Sequence, residues 1–339
     1  MGNYRQDEAG YTLIIVIWIL VILSIILLNL VDEITLDNLL LSYQQQEKLA
    51  RQTALSGIAA GIAKLQEDDT LADSDRDDWA QQLTGSLNSL DYLVEIADVG
   101  SRINLNYDQE ELLTTLTWWN EQLSLVTRET IIPHLLLIRD LFGEDYQKAQ
   151  NMVSTLGKFN INRDSLTSLG KLLLYLEIEP EQIKVISNGL QELRSEHTNL
   201  YLDSLDQLPL RIEGLDLIVY QQLKPYLTVE GRVNINLVPL EPLRLILKGF
   251  ELRSGLADRI DAYRQENEIT GVEQLAGMLT EEEMAQIRGY FTTASRYFII
   301  SSRAFSAQEK AEVELCVLVE RTRNEAGEWQ IKVLEWQEL

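Results

Sequence analysis

Three side chains could begin nucleophile–base chemistry: Cys316, His134 and His197 are the only thiol and imidazoles in 339 residues. None sits in a pattern that would activate it. Cys316 falls in an alternating apolar–polar run and reads as half-buried packing. His134 follows Pro133 near a helix start, and His197 lies in the polar stretch Ser195-Glu196-His197-Thr198-Asn199, so both are expected on the surface. A single cysteine excludes a disulfide framework and any multi-cysteine metal site. Carboxylates are abundant, 53 against 29 basic side chains, but most fall on solvated helix faces rather than in a pair that could do glycosidase chemistry. In the acidic segment Glu67–Ala80, Asp73, Asp75 and Asp77 alternate as the first ligands of a calcium loop do. Asp78 stands where the turn glycine belongs, and Thr84 where the bidentate glutamate belongs, so a solvated loop is favoured and calcium is only a weak candidate. No catalytic residue, no cofactor and no enzymatic activity are expected.

The elements that would carry any site begin with a long helix. Tyr11 to Val31 is twenty-one residues without a charge, about 31 Å as a helix and long enough for the bilayer's hydrocarbon core. Its Ile and Val content does not oppose a helix in lipid, where the backbone must satisfy its own hydrogen bonds. From Asp32 to Gln66 the apolar positions continue at roughly helical spacing, with Asp, Gln, Lys and Arg on the other face. All six prolines lie beyond residue 132, so one uninterrupted rod on the order of 80 Å is predicted over 11–66. Gly57 and Gly61 form a small-xxx-small pair that would let another element approach. The apolar run exits into Asn29-Leu30-Val31-Asp32-Glu33 without small residues at a cleavage position, which favours a retained anchor over a removable signal. Only Arg5, beside Asp7 and Glu8, precedes the span, so the charge rule for orientation is weak.

Beyond the rod, Tyr92–Ile96 and Ser101–Asn106 read as short strands about Gly100. Helical patterns run from about Asp108 to Phe291, with Asp108 and Thr280 as candidate caps. Strand signals return at Tyr297–Ser301, Glu312–Glu320 and Trp329–Trp336, with a turn at Asn324–Gly327. This order predicts an α+β head whose antiparallel sheet is split by a large all-α insert. Inside the insert Arg102-Ile103-Asn104-Leu105-Asn106 recurs as Arg232-Val233-Asn234-Ile235-Asn236, with a looser echo at Phe159-Asn160-Ile161-Asn162. Each Asn-x-Asn step leads towards a helix, where Asn side chains serve turns and caps. The stretch from Asn234 and Asn236 through Gly249, Gly255 and Arg264 to Leu275 resembles a helix-hairpin-helix (SAM-like) unit. So does the stretch from Leu205 through Gly214 to Leu227.

The polar leader MGNYRQDEAG, ending in Gly10 before Tyr11-Thr12-Leu13 and the long apolar helix, resembles the leader of type IV pilins and type II secretion pseudopilins. The resemblance implies that a prepilin peptidase cuts after Gly10 on the cytoplasmic side, leaving Tyr11 as the (methylated) N-terminus. In most of that family the fifth mature residue is a glutamate that neutralises the amine of the adjoining subunit; here it is Ile15. A buried ammonium without that partner is costly. Lack of the glutamate, together with a helical insert, is similar to the minor pseudopilin K (the GspK family), which implies a place at the pseudopilus tip, initiating or capping assembly for protein export. The implied partners are the I-, J- and H-type minor pseudopilins, the major pseudopilin, the peptidase and the inner membrane, with a cytoplasmic N-terminus and an extracytoplasmic head. Some K-type members bind calcium, but no residue-level match transfers those ligands. The expected organisation is leader 1–10, transmembrane half 11–31, amphipathic half 32–66, first part of the head 67–106, helical insert 107–291, and closing strands 292–339.

A membrane-anchored, competence-type DNA receptor is the rival, because helix-hairpin-helix units often bind DNA. That function needs a Gly-x-Gly hairpin flanked by Lys and Arg. Here the hairpin is Gly249-Phe250-Glu251-Leu252-Arg253-Ser254-Gly255, the turn at Glu213-Gly214-Leu215-Asp216 is also acidic, and the chain carries a net charge of −24. At that charge the long-range field repels nucleic acid, so no nucleic-acid partner is expected.

Overall fold

The computed structural model describes residues 4–70, 72–87, 89–196, 202–305, 312–324 and 326–338. One helix runs from Tyr4 to Glu67 without a break. From Leu13 to Val31 it presents an uncharged and almost wholly apolar surface to the outside: Leu13, Trp18, Ile22 and Leu28 are each at least half exposed. Exposure continues through Leu36, Leu40 and Tyr43, and one face becomes core from Ala50 onwards. Ala50, Ala54, Ile58 and Leu65 are buried against Val94, Ile96, Phe298, Ile300, Leu315 and Val317.

Those partners lie on a five-stranded antiparallel sheet. Its strands are, in spatial order, Leu83–Leu87, Leu90–Asp98, Tyr297–Phe305, Glu312–Arg323 and Trp329–Glu338. The central pairing sets Asp98 opposite Phe298, so the chain leaves the sheet after Asp98, builds the helical block, and returns beside the point of departure. The fold is α+β, with a long apolar N-terminal helix and an antiparallel sheet. A β-bulge at Leu318/Val319 interrupts the last hairpin. The strand Leu83–Leu87 was not apparent in the sequence because Thr84, Gly85 and Ser86 give no apolar alternation.

Gly57 and Gly61 face this sheet. A Cβ at Gly57 would lie 2.1 Å from Ser302 Oγ, and one at Gly61 2.7 Å from Ile300 Cγ2. The small pair therefore sets how closely the helix lies on its own head.

Two sequence expectations change. The segment Ser101–Asn106 is not a third strand of the sheet: only Ile103–Asn104 is extended, and it pairs in parallel with Val153–Ser154. Asp108 does not cap a helix. The helix Glu110–Leu113 starts after Gln109 without a side-chain cap, and Asp108 instead accepts from Asn104 N at 2.6 Å. Thr280 does cap the helix Glu281–Ile287, in a reciprocal pair with Glu283.

Candidate functional site

The Asn-x-Asn echoes head three structurally equivalent units. In each, the first Asn accepts from the backbone N–H two residues on: Asn104 from Asn106, Asn160 from Asn162, Asn234 from Asn236, all at 2.9 Å. The second Asn reaches across to a later backbone segment and bonds both its N–H and its C=O. Asn106 does so at Ile132, Asn162 at Leu202 and Asn236 at Ile269. Each unit closes with a two-residue parallel bridge to its own start: Ile103 with Val153, Phe159 with Leu227, and Val233 with Phe291. In the second and third units an arginine staples the same two carbonyls. Arg194 donates to the oxygens of Ile161 and Asp164, and Arg264 to those of Ile235 and Val238. In the first, Lys171 donates instead to the oxygens of Asn106 and Thr127.

Where the three units meet sits Arg232, its side chain 8% exposed. It pairs with Asp108 at 2.7 Å and with Asp164 at 2.6 Å, both nearly fully buried. Burial works against the guanidinium charge, but the two aspartates more than reverse it and raise its pKa above the ordinary value. Tyr290 Oη completes the set, donating to Asp108 at 2.9 Å. Sequence reasoning missed this knot. The available signal was an Asp four residues after the leading Asn in two of the echoes, at Asp108 and Asp164, and its absence at Val238, where the third unit contributes Arg232 instead.

The acidic segment after the stalk helix forms a second junction. Asp68, Asp73 and Asp77 bring carboxylate oxygens within 4.8 Å of one another. Asp75, the other sequence candidate for a cation ligand, is exposed and outside that cluster. The three acids already have partners. Arg321, fully buried, pairs with Asp68 at 2.7 Å and with Asp73, while Asp77 accepts from Ser74 N and Trp79 Nε1. With a guanidinium occupying two of its oxygens' partners, the cluster is built as an ion-pair network rather than as an open set of cation ligands. Asp73 also ties the insert down, its carbonyl accepting from Asn234 and Asn236 Nδ2 at 3.0 and 3.2 Å.

Burial pushes the Asp73 carboxyl up to about 6 from 3.8, against the pull of Arg321. Between those values the folded protein keeps a proton that the unfolded chain has released. The contribution of this group to stability therefore falls as pH rises from about 4 to 6 and is flat above. Thermal unfolding of the wild type and Asp73→Asn across pH 4–8 should show a steeper fall in the wild type, because Asp77, Asp98 and Asp164 are also raised by burial and keep their share of the slope in the variant. Parallel profiles would refute the assignment.

The hairpin glycines differ in role. Gly214 and Gly255 both adopt φ +81°, which a Cβ would strain, whereas Gly249 ends the helix Leu240–Gly249, where a Cβ would meet Leu112 Cδ1 at 3.3 Å. The Gly249–Gly255 turn leads into the helix Leu256–Glu266. Two of its N–H groups are spent internally: Glu251 N bonds Lys248 O at 2.9 Å, and Leu252 N bonds Leu247 O at 3.0 Å. Its one basic side chain, Arg253, is paired with Glu283 at 2.7 Å. Asp216 N, beyond the other turn, donates to Gln182 Oε1.

Gly10 and Tyr11 lie in the early part of the stalk helix, and their side chains are outside the described ones. Ile15 is 57% exposed among apolar neighbours. Cys316 and His134 are brought to the walls of one cavity of about 160 Å³. The Cys316 thiol lies 3.1 Å from Ser301 Oγ, and burial raises its pKa, the reverse of an activated nucleophile. His134 Nδ1 is held 3.2 Å from Glu335. His197 falls outside the described residues.

No protein-family model matches the chain, and no curated protein matches it. Among solved structures it is similar to one chain of the GspK-GspI-GspJ complex from the enterotoxigenic Escherichia coli type 2 secretion system. The identity is 17%, the similarity covers 87% of this chain and 97% of that chain, and the TM-score is 0.40.

Proposed function

We propose that this chain is a minor pseudopilin of the K type, a non-enzymatic part of a type II secretion pseudopilus. In this role it is trimmed after Gly10 and sits at the filament tip, where it initiates or caps assembly. The observation that carries the proposal is the division of one helix. Its stretch from Leu13 to Val31 is bare and uncharged, as a membrane and sister helices require, while one face from Ala50 to Leu65 packs into the core of its own head. Ile15 places no carboxylate where an internal subunit would need one for its neighbour's amine. The helical insert stands between Asp98 and Tyr297, at one end of the sheet, as a bulky block that would hinder addition of a further subunit.

The remaining parts of the proposal follow from that placement. The stalk crosses the inner membrane once, with the N-terminus in the cytoplasm and the head outside it. The partners along the stalk are the I-, J- and H-type minor pseudopilins and the major pseudopilin. The paired helices about Gly214 and about Gly249 and Gly255 are helix-hairpin-helix units used for packing. The DNA-receptor alternative is disfavoured by the pairing of the hairpin's Arg253 with Glu283 and by the net charge of −24.

Cleavage tests the reading directly. In a host with a prepilin peptidase, the wild-type chain should yield a polypeptide beginning at Tyr11, and Gly10→Val one that keeps the leader. Intact mass spectrometry of the membrane fraction reads both; a wild-type protein that retains Met1, or a Gly10→Val protein that still begins at Tyr11, contradicts the proposal.

A further inference from the structure

The segments that join the units to one another and to the sheet share a pattern, a small residue followed by a cation: Ser101-Arg102, Gly157-Lys158, Gly231-Arg232 and Ser295-Arg296. Three of these cations end on protein acceptors. Arg102 donates to the Gln150 carbonyl, Arg232 holds Asp108 and Asp164, and Arg296 holds Glu320 at 2.8 Å. Lys158 is the exception. Among the described residues it makes no hydrogen bond and no ion pair, although it is only partly exposed.

Lys158 lines a cavity of about 490 Å³ between the insert and the end of the sheet. The same cavity is lined by Arg232, Arg296, Arg321 and Arg323, and Glu230 is the acid on its wall. Two of these arginines are more than nine-tenths buried and still leave a donor unused: Arg232 Nε and Arg321 Nε have no acceptor. Arg323 stacks on Trp329, 4.3 Å from the ring centroid, and among the described residues it has no anionic partner. The cavity therefore gathers an ammonium and a guanidinium without anionic partners, and two of the arginines in its wall carry buried N–H groups that lack acceptors. A buried donor without an acceptor destabilises the fold until a ligand supplies one. Multidentate donor sets of this kind match oxyanions.

We propose that this cavity is a binding site for a small multivalent oxyanion, a phosphate or polycarboxylate group, held by Lys158 and Arg323 with the Nε–H groups of Arg232 and Arg321 behind them. Occupancy would tie two joining segments of the insert, at Lys158 and Arg232, to the strand Glu312–Arg323 and so stiffen the head. The site stands whether or not the chain is a pseudopilin, since it uses no residue of the stalk.

The full-length chain in detergent should be titrated calorimetrically with inorganic phosphate and, separately, with citrate, using chloride at matched ionic strength as control. Binding that raises the unfolding temperature is expected for at least one of the two, and which one identifies the ligand chemistry. Lys158→Met and Arg323→Met leave the Arg232 and Arg321 ion pairs intact, and each should weaken binding about tenfold or more. No heat and no thermal shift with either anion up to about 10 mM, weaker than most recognised ligands, would overturn the proposal. So would equal affinities in the wild type and both variants.

Discussion

Arg232→Met should destabilise the insert by about 3–5 kcal/mol, because it leaves two buried carboxylates facing each other without their shared cation. Asp108 and Asp164 are 2% and 4% exposed, so water cannot replace the guanidinium without opening the knot. The loss would reach all three units at once, since Asp108 belongs to the first, Asp164 to the second and Arg232 to the third. Chemical denaturation of the detergent-solubilised chain, followed by tryptophan fluorescence and circular dichroism, reads the effect. Trp118 and Trp119 report on the first unit and Trp79 on the head core. The expected pattern is early loss of the insert signal with the head transition less affected. The triple change Arg232→Met, Asp108→Asn, Asp164→Asn removes the stranded charges and should recover much of the loss. A single Arg232→Met variant as stable as wild type would show that the knot contributes little.

The readable parts of this protein were those governed by period and composition. A bare apolar run and a proline-free amphipathic continuation specify one helix, and the alternation in Glu312–Glu320 and Trp329–Trp336 specifies a hairpin. The Asn-x-Asn echoes were visible as strings, yet their purpose was not, because Asn106, Asn162 and Asn236 act on backbone 26, 40 and 33 residues further on. Propensity says nothing about such reach. The same holds for Arg321, which sits in an otherwise ordinary strand and is revealed as a junction residue only when the fold brings Asp68 and Asp73 to it. Of the candidate calcium ligands, alternation along the sequence chose Asp75, whereas the turn carries Asp75 outwards and brings Asp68 in.

Gly57→Val is the second large effect expected, and it also separates two uses of the small pair. If Gly57 and Gly61 served a sister helix, substitution would leave the isolated subunit as stable as before. The geometry points the other way: a Cβ at Gly57 meets Ser302 Oγ at 2.1 Å, Val94 Cγ2 at 3.0 Å and Ser302 Cβ at 3.1 Å, inside a closed core. Ser302 can turn its hydroxyl aside, but its Cβ and Val94 sit on paired strands and cannot both retreat. A branched side chain must therefore lift the helix, at a cost near the upper end of the 1–3 kcal/mol range for overpacking. Ser302→Ala supplies the control, because its Oγ is buried without a hydrogen-bond partner. Removing that hydroxyl should cost little by itself and should rescue much of the milder Gly57→Ala defect, giving a coupling of about 1 kcal/mol between the two positions. The measurement is the unfolding temperature of the monomeric, detergent-solubilised chain. A Gly57→Val subunit that melts with the wild type would move the pair from the head's own core to a surface used in assembly.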